Sequence, residues 1–134
     1  MLQASCSCGQ LSLSVTGNPS RVSVCHCHAC QKRTGSAFGV QARFPNDCVT
    51  VKGHSKTYQR MGDSGSTIRH FFCPECGNTL WFTLDAMADV IAIPLGNFSE
   101  QVPNIDELFA PTVAVYQTRC HQWVTLKGIS EIYD

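Results

Sequence analysis

The stretch QLSLSVT, residues 10–16, decides the class of fold. Leu11, Leu13 and Val15 alternate with Ser12 and Ser14. An extended chain therefore puts three apolar side chains on one face and two hydroxyls on the other. The same period of two recurs outward from it. AFGVQARF (37–44) places Phe38, Val40, Ala42 and Phe44 together. Further short strands are predicted at RVSV (21–24), VTV (49–51), KTYQR (56–60), TIRHFF (67–72), TLWFTL (79–84), VIAIPL (90–95) and TVAVYQ (112–117). Turn residues separate them: GNP at 17–19, PND at 45–47, GDSG at 62–65. Helical turns are expected only around NIDELF (104–109) and LDAMAD (84–89). The pattern reads as an all-β protein of many short strands, and no repeat or linker divides residues 1–134 into more than one domain.

Composition bounds the function. Ten basic and ten acidic residues leave no formal net charge, which argues against a general nucleic-acid binder. The start, MLQASCSCGQ, lacks the basic and apolar regions of a signal peptide. The longest apolar runs, such as VIAI at 90–93, are too short to span a bilayer. A cytoplasmic protein is expected, with its oligomeric state left open. In a reducing compartment, nine cysteines in C-x-C and C-x-x-C spacings favour metal ligands over disulfides.

The cysteines fall into three groups. C-S-C-G supplies Cys6 and Cys8, C-H-C-H-A-C supplies Cys25, Cys27 and Cys30, and C-P-E-C-G supplies Cys73 and Cys76; Cys48 and Cys120 stand alone. In C-P-E-C-G, Pro74 presets the turn, and Gly77 can take the positive φ that frees backbone amides to face the sulfurs. Two sulfurs make half of a tetrahedral zinc site, whose Zn–S distances are about 2.3 Å. Pairing Cys73 and Cys76 with Cys6 and Cys8 completes one all-thiolate structural site and leaves a complete trio. Two zinc ions per chain are expected.

Cys25, Cys27 and Cys30 come from one short segment, and no fourth ligand is evident beside them. Three protein ligands and an open position describe a catalytic zinc. Three thiolates make the ion a poor generator of hydroxide, yet a coordinating thiol still loses its proton to the metal. The ligand set thus favours chemistry on a small thiol over hydrolysis. Two other readings stay open. His26, His28, His54, His70, His121 or Cys120 could close a second structural site. The trio could also be redox-active, although redox C-x-x-C motifs open a helix after a strand, and no helical pattern is seen here. His26 and His28 are expected to face solvent or cap a turn.

C-x-C-G near the start, CHCHACQKRTGSAF (25–38) and FCPECGNTLWF (72–82), in that order, resemble the glutathione-dependent formaldehyde-activating enzyme family, which includes the centromere protein V type of domain. VIAIPLGNF (90–98) resembles the family's later strand and Trp123 its terminal Trp. The resemblance implies a β-tent of twisted antiparallel sheets. It also implies structural zinc on Cys6, Cys8, Cys73 and Cys76 and catalytic zinc on Cys25, Cys27 and Cys30. The implied activity is that of a carbon–sulfur lyase joining glutathione and formaldehyde as S-hydroxymethylglutathione. Lys32, Arg33 and Thr34 could bind a carboxylate of that peptide through charge-assisted hydrogen bonds. The alternative is a non-catalytic zinc scaffold or interaction module of the centromere protein V type.

Overall fold

The computed structural model describes residues 1–98, 100 and 102–134. Two sheets form it. The smaller joins β1 (Leu2–Ser5), β2 (Ser12–Val15) and β5 (Val49–Lys52) in the order β1-β2-β5, antiparallel throughout. The larger contains β3 (Arg21–Cys25), β4 (Gly39–Pro45), β6 (Lys56–Met61), β7 (Thr67–Phe72), β8 (Thr79–Leu84), β9 (Val90–Pro94), β10 (Val113–Val115) and β11 (Glu131–Ile132). Its order is β11-β10-β3-β4-β9-β8-β7-β6. From β3 to β6 the neighbours are antiparallel, while β10 runs parallel to both β3 and β11. The all-β, β-tent reading holds, with a mixed rather than wholly antiparallel large sheet.

The alternation of QLSLSVT buries Leu11, Leu13 and Val15 completely. They pack on Ala42 and Phe44 of β4 and Ile93 of β9. Phe44, Phe98 and Phe109 meet at the centre, with ring centroids 4.9–6.4 Å apart. Phe109 follows α2 (Ile105–Leu108), the brief helix expected after Pro103. LDAMAD yields only a 3-10 turn, Asp85–Met87.

The opposite face of the large sheet is not covered by the small one. There the other parity of the same strands comes out: Gln41 and Arg43 of β4, Ala92 of β9, Ile68 of β7 and Arg60 of β6. A β-bulge re-phases β8 to serve both faces. Phe71 pairs with Trp81 and Phe72 with Thr79, so Leu80 is the extra residue. Leu80 and Trp81 join the core, Trp81 stacked on Phe71 at 4.7 Å, while Phe82 and Leu84 turn to the other face. Asn97 stabilises the bulge by donating from Nδ2 to the carbonyls of Thr79 and Leu80, at 3.0 and 3.1 Å.

Strands β1 and β11 are not among those expected, and neither is one helix. Helix α1 (His28–Thr34) begins within the central cysteine group. Its first turn is capped by the Cys27 sulfur, which accepts from the Cys30 amide at 3.3 Å. Gly35 ends it in the left-handed conformation. Seven residues carry too few apolar positions to show a helical period. Among the described residues no helix is long and apolar enough to cross a membrane.

Candidate metal centres and the cavity beside them

The sulfurs of Cys6, Cys8, Cys73 and Cys76 lie within 4.8 Å of one another. Cys6 and Cys8 are 3.6 Å apart, and Cys8 and Cys73 are 3.7 Å apart. Two turns remote in sequence, one near the start of the chain and one near its middle, present them. Each closes on a glycine with positive φ, Gly9 at 83° and Gly77 at 78°. Backbone and amide donors face the sulfurs. Leu11 N–H points to Cys6 at 3.4 Å, Glu75 N–H to Cys73 at 3.4 Å, and Gln10 Nε2 to Cys73 at 3.0 Å. Such donors favour the thiolate form. Asn78 Oδ1 ties the turns together by accepting from Ser7 N–H at 3.0 Å. Four sulfurs ringed by N–H donors, with no carboxylate among them, suit a soft, thiophilic divalent ion.

The second group gathers Cys25, Cys27 and Cys30, also within 4.8 Å of one another and all buried. β3 supplies Cys25, the cap of α1 supplies Cys27, and the first turn of α1 supplies Cys30. The Cys25 thiol donates to Cys27 at 3.3 Å. That contact holds the Cys27 sulfur far below the usual thiol range, down to about 2, and raises Cys25. Among the described residues no His, Asp, Glu or other Cys brings a ligand atom into the same cluster.

The histidines are accounted for individually. His28 is exposed. His26, expected at the surface or in a cap, is fully buried, edge-on to Phe38 at 5.9 Å, with neither ring nitrogen hydrogen-bonded. Strand alternation turns it away from Cys25 and Cys27, and burial pushes its pKa down. His54 meets Gln10 only through its backbone. His121 binds Gln31 Oε1 at 2.9 Å, and His70 accepts from Arg60 Nε at 3.1 Å. Because α1 follows β3 directly, the trio does stand in a strand-to-helix context. The absence of a helix therefore carries no weight against redox chemistry. The third sulfur, Cys25, is what distinguishes this group from a simple C-x-x-C pair.

Cys25, Cys27 and Cys30 line a cavity of about 260 Å³ on the uncovered face of the large sheet. Ile68, Phe82, Leu84 and Ala92 form its apolar wall, and Gln41, Arg43, Arg60 and Tyr116 its polar one. Lys32, Arg33 and Thr34 do not line it. Lys32 is exposed, Thr34 Oγ1 donates to the Cys30 carbonyl at 2.9 Å, and Arg33 lies over the Phe82 ring at 5.4 Å. The residues missed by sequence reasoning are Gln41, Arg43 and Arg60. The signal for the first two lay in AFGVQARF, as the polar parity of a strand whose other parity is core.

A twisted, two-sheet β protein with two thiol clusters able to hold metal, one of them opening on a cavity, is the class these features define. The chain belongs to the glutathione-dependent formaldehyde-activating enzyme family, whose pattern matches residues 1–119. Trp123, exposed and stacked on His121, lies beyond that match. A Penicillium rubens protein bearing the family's name is 26% identical over 76 residues, covering 57% of this chain and 39% of that protein. The chain thus spans about two fifths of that relative's length. A crystal structure of a Rhodobacter sphaeroides protein shares the fold, with a TM-score of 0.61, 20% identity, and coverage of 79% of this chain and 94% of the other.

Proposed function

We propose that this protein is a zinc-dependent carbon–sulfur lyase acting on a small thiol adduct, with glutathione and formaldehyde as the reference pair. The observation that carries the reading is the three-sulfur group on the wall of a cavity, without a fourth protein ligand among the described residues. Family membership supports it. Cys6, Cys8, Cys73 and Cys76 would hold a structural zinc, and Cys25, Cys27 and Cys30 a catalytic one. When bound at the trio, zinc supplies a Lewis acid that keeps a small thiol deprotonated near neutral pH.

The chain's own residues do the rest. The apolar wall of Ile68, Phe82, Leu84 and Ala92 excludes water from a bound aldehyde. Gln41 and Tyr116 offer neutral hydrogen-bonding groups to orient its oxygen. In the addition a carbon–sulfur bond forms, the carbonyl π pair moves to oxygen, and the thiol's proton ends there. The lyase direction reverses each change.

Metal analysis of the purified chain, followed by titration with glutathione, tests the reading. Two zinc ions per chain are expected, with the spectrum of a cobalt-substituted second site shifting as thiol is added. One ion per chain, indifferent to small thiols, would leave the non-catalytic scaffold in its place.

A further inference from the structure

Two arginines of the cavity beside the trio lack a carboxylate partner among the described residues. The ion pairs among the described residues are Arg69–Asp85 and Arg119–Asp63. Asp63, an acidic residue of the cavity lining, is therefore already neutralised. Arg43 and Arg60 line the same cavity, and neither meets a carboxylate. Arg60 donates from Nε to His70 and its charge helps lower the Cys27 pKa, but among the described residues its two terminal amino groups have no hydrogen-bond partner. Among the described residues the Arg43 guanidinium has no hydrogen-bond or ion-pair partner.

Arg43 is also placed against its own interest. It sits directly opposite Arg21 in the β3–β4 register, a like-charge cross-strand pair. Burial and the Arg21 charge both push its pKa down. The next pair on the same face, Ser23 with Gln41, leaves Ser23 Oγ and Gln41 Oε1 buried without hydrogen-bond partners among the described residues. The pair after that begins with Cys25 of the trio. A half-buried, unpaired cation and orphaned polar atoms cost stability unless a ligand satisfies them. A guanidinium fork is matched to a carboxylate, which it can bind with two parallel hydrogen bonds.

We infer that Arg43 and Arg60 form a carboxylate subsite that selects thiols by charge, in the same cavity as the sulfur-binding trio and, for Arg43, two same-face rungs along the sheet from Cys25. This inference rests on the proposed thiol chemistry for the identity of the ligand, but the subsite stands on its own charges. Short thiols that carry a carboxylate suffice to engage it, and neutral or cationic thiols of the same size do not.

The test uses the zinc-loaded full chain and three small thiols: 3-mercaptopropionate, 2-mercaptoethanol and cysteamine. Calorimetric affinities are measured for the parent chain, Arg43→Met, Arg60→Gln and Arg43→Lys. The parent is expected to prefer 3-mercaptopropionate over 2-mercaptoethanol by about tenfold or more, with cysteamine weakest. The preference should weaken with added salt. Arg43→Met and Arg60→Gln should each erase most of it while leaving 2-mercaptoethanol binding unchanged, and Arg43→Lys should restore part. Equal affinity of the parent for the acidic and neutral thiols overturns the subsite, as does a preference that survives both substitutions. Propionate, which has no sulfur, separates the two proposals. If no thiol binds but propionate does, in an Arg43-dependent way, the subsite stands and the thiol chemistry falls. Circular dichroism and urea midpoints confirm that each variant is folded.

Discussion

At the scale of single residues, the two cysteine groups should respond differently to the same substitution. Cys73 is fully buried where two remote turns meet, and its sulfur receives N–H donors from Gln10 and Glu75. Cys73→Ser is expected to lower stability by about 3 kcal/mol or more, read as a fall in the urea midpoint, because it breaks the junction of the proposed structural site. Cys27 belongs to a satellite cluster outside the main core. Cys27→Ser should keep the urea midpoint near the parent's and remove one metal ion per chain. Unfolding of both variants would show that the cysteines do not divide into structural and catalytic sets.

His70 gives a pH signature. Burial, then the charges of Arg60 and Arg33, lower its pKa from 6.5 to about 4. In the unfolded chain it takes a proton near pH 6.5, whereas the folded chain refuses it until about pH 4. Falling pH therefore favours unfolding across that window, by up to about 3 kcal/mol at its lower end. Urea midpoints measured from pH 7 to 4.5 should decline, and His70→Gln, which keeps an acceptor for Arg60 Nε, should flatten the decline.

At the scale of elements, the joints are more constrained than the strands. The turn after β5 runs so close to Gln10 that a β-carbon on Gly53 would lie 2.0 Å from the Gln10 carbonyl oxygen, at a φ of 102°. Gly53→Ala should cost about 2 kcal/mol or more, and the loss should spread to the first metal centre, since Gln10 also donates to Cys73. Chemical denaturation together with metal content checks both parts. The bulge in β8 is a second joint. Asn97→Ala removes the donors that hold the Thr79 and Leu80 carbonyls and should cost about 1–3 kcal/mol. Helix α1 shows why a short element escapes a periodicity search. Its existence depends on a sulfur cap and a glycine stop rather than on an apolar stripe.

At the scale of the whole molecule, the large sheet separates two tasks. One face packs on the small sheet, and the other carries the cavity. Phe44 is fully buried on the first face, against Phe98 and Phe109. Phe44→Ala should destabilise the fold by about 3–5 kcal/mol without changing which thiols bind, as measured by denaturation and calorimetry on the same sample. Its neighbour in sequence, Arg43, should show the reverse pattern. Adjacent residues of one strand thus report on different halves of the protein.

Much of this was legible in the sequence because the signals are local. Alternation over four to seven residues is enough to place a strand and to name its apolar face, as in QLSLSVT and AFGVQARF. C-x-C and C-x-x-C spacings sorted the cysteines, because a turn of that length brings its own two sulfurs together whatever surrounds it. Two features were not legible: β1, too short for a pattern, and the burial of His26, a residue expected to face solvent or cap a turn. The tertiary structure alone decided the strand order. It placed β4 next to β3, and beyond them β9, β8, β7 and β6, so that Arg43 and Arg60 came to share a cavity with three cysteines. No spacing along the chain encodes that meeting. It follows from register and sheet order, which are set by burying Leu11, Leu13, Phe44 and their partners on the opposite face.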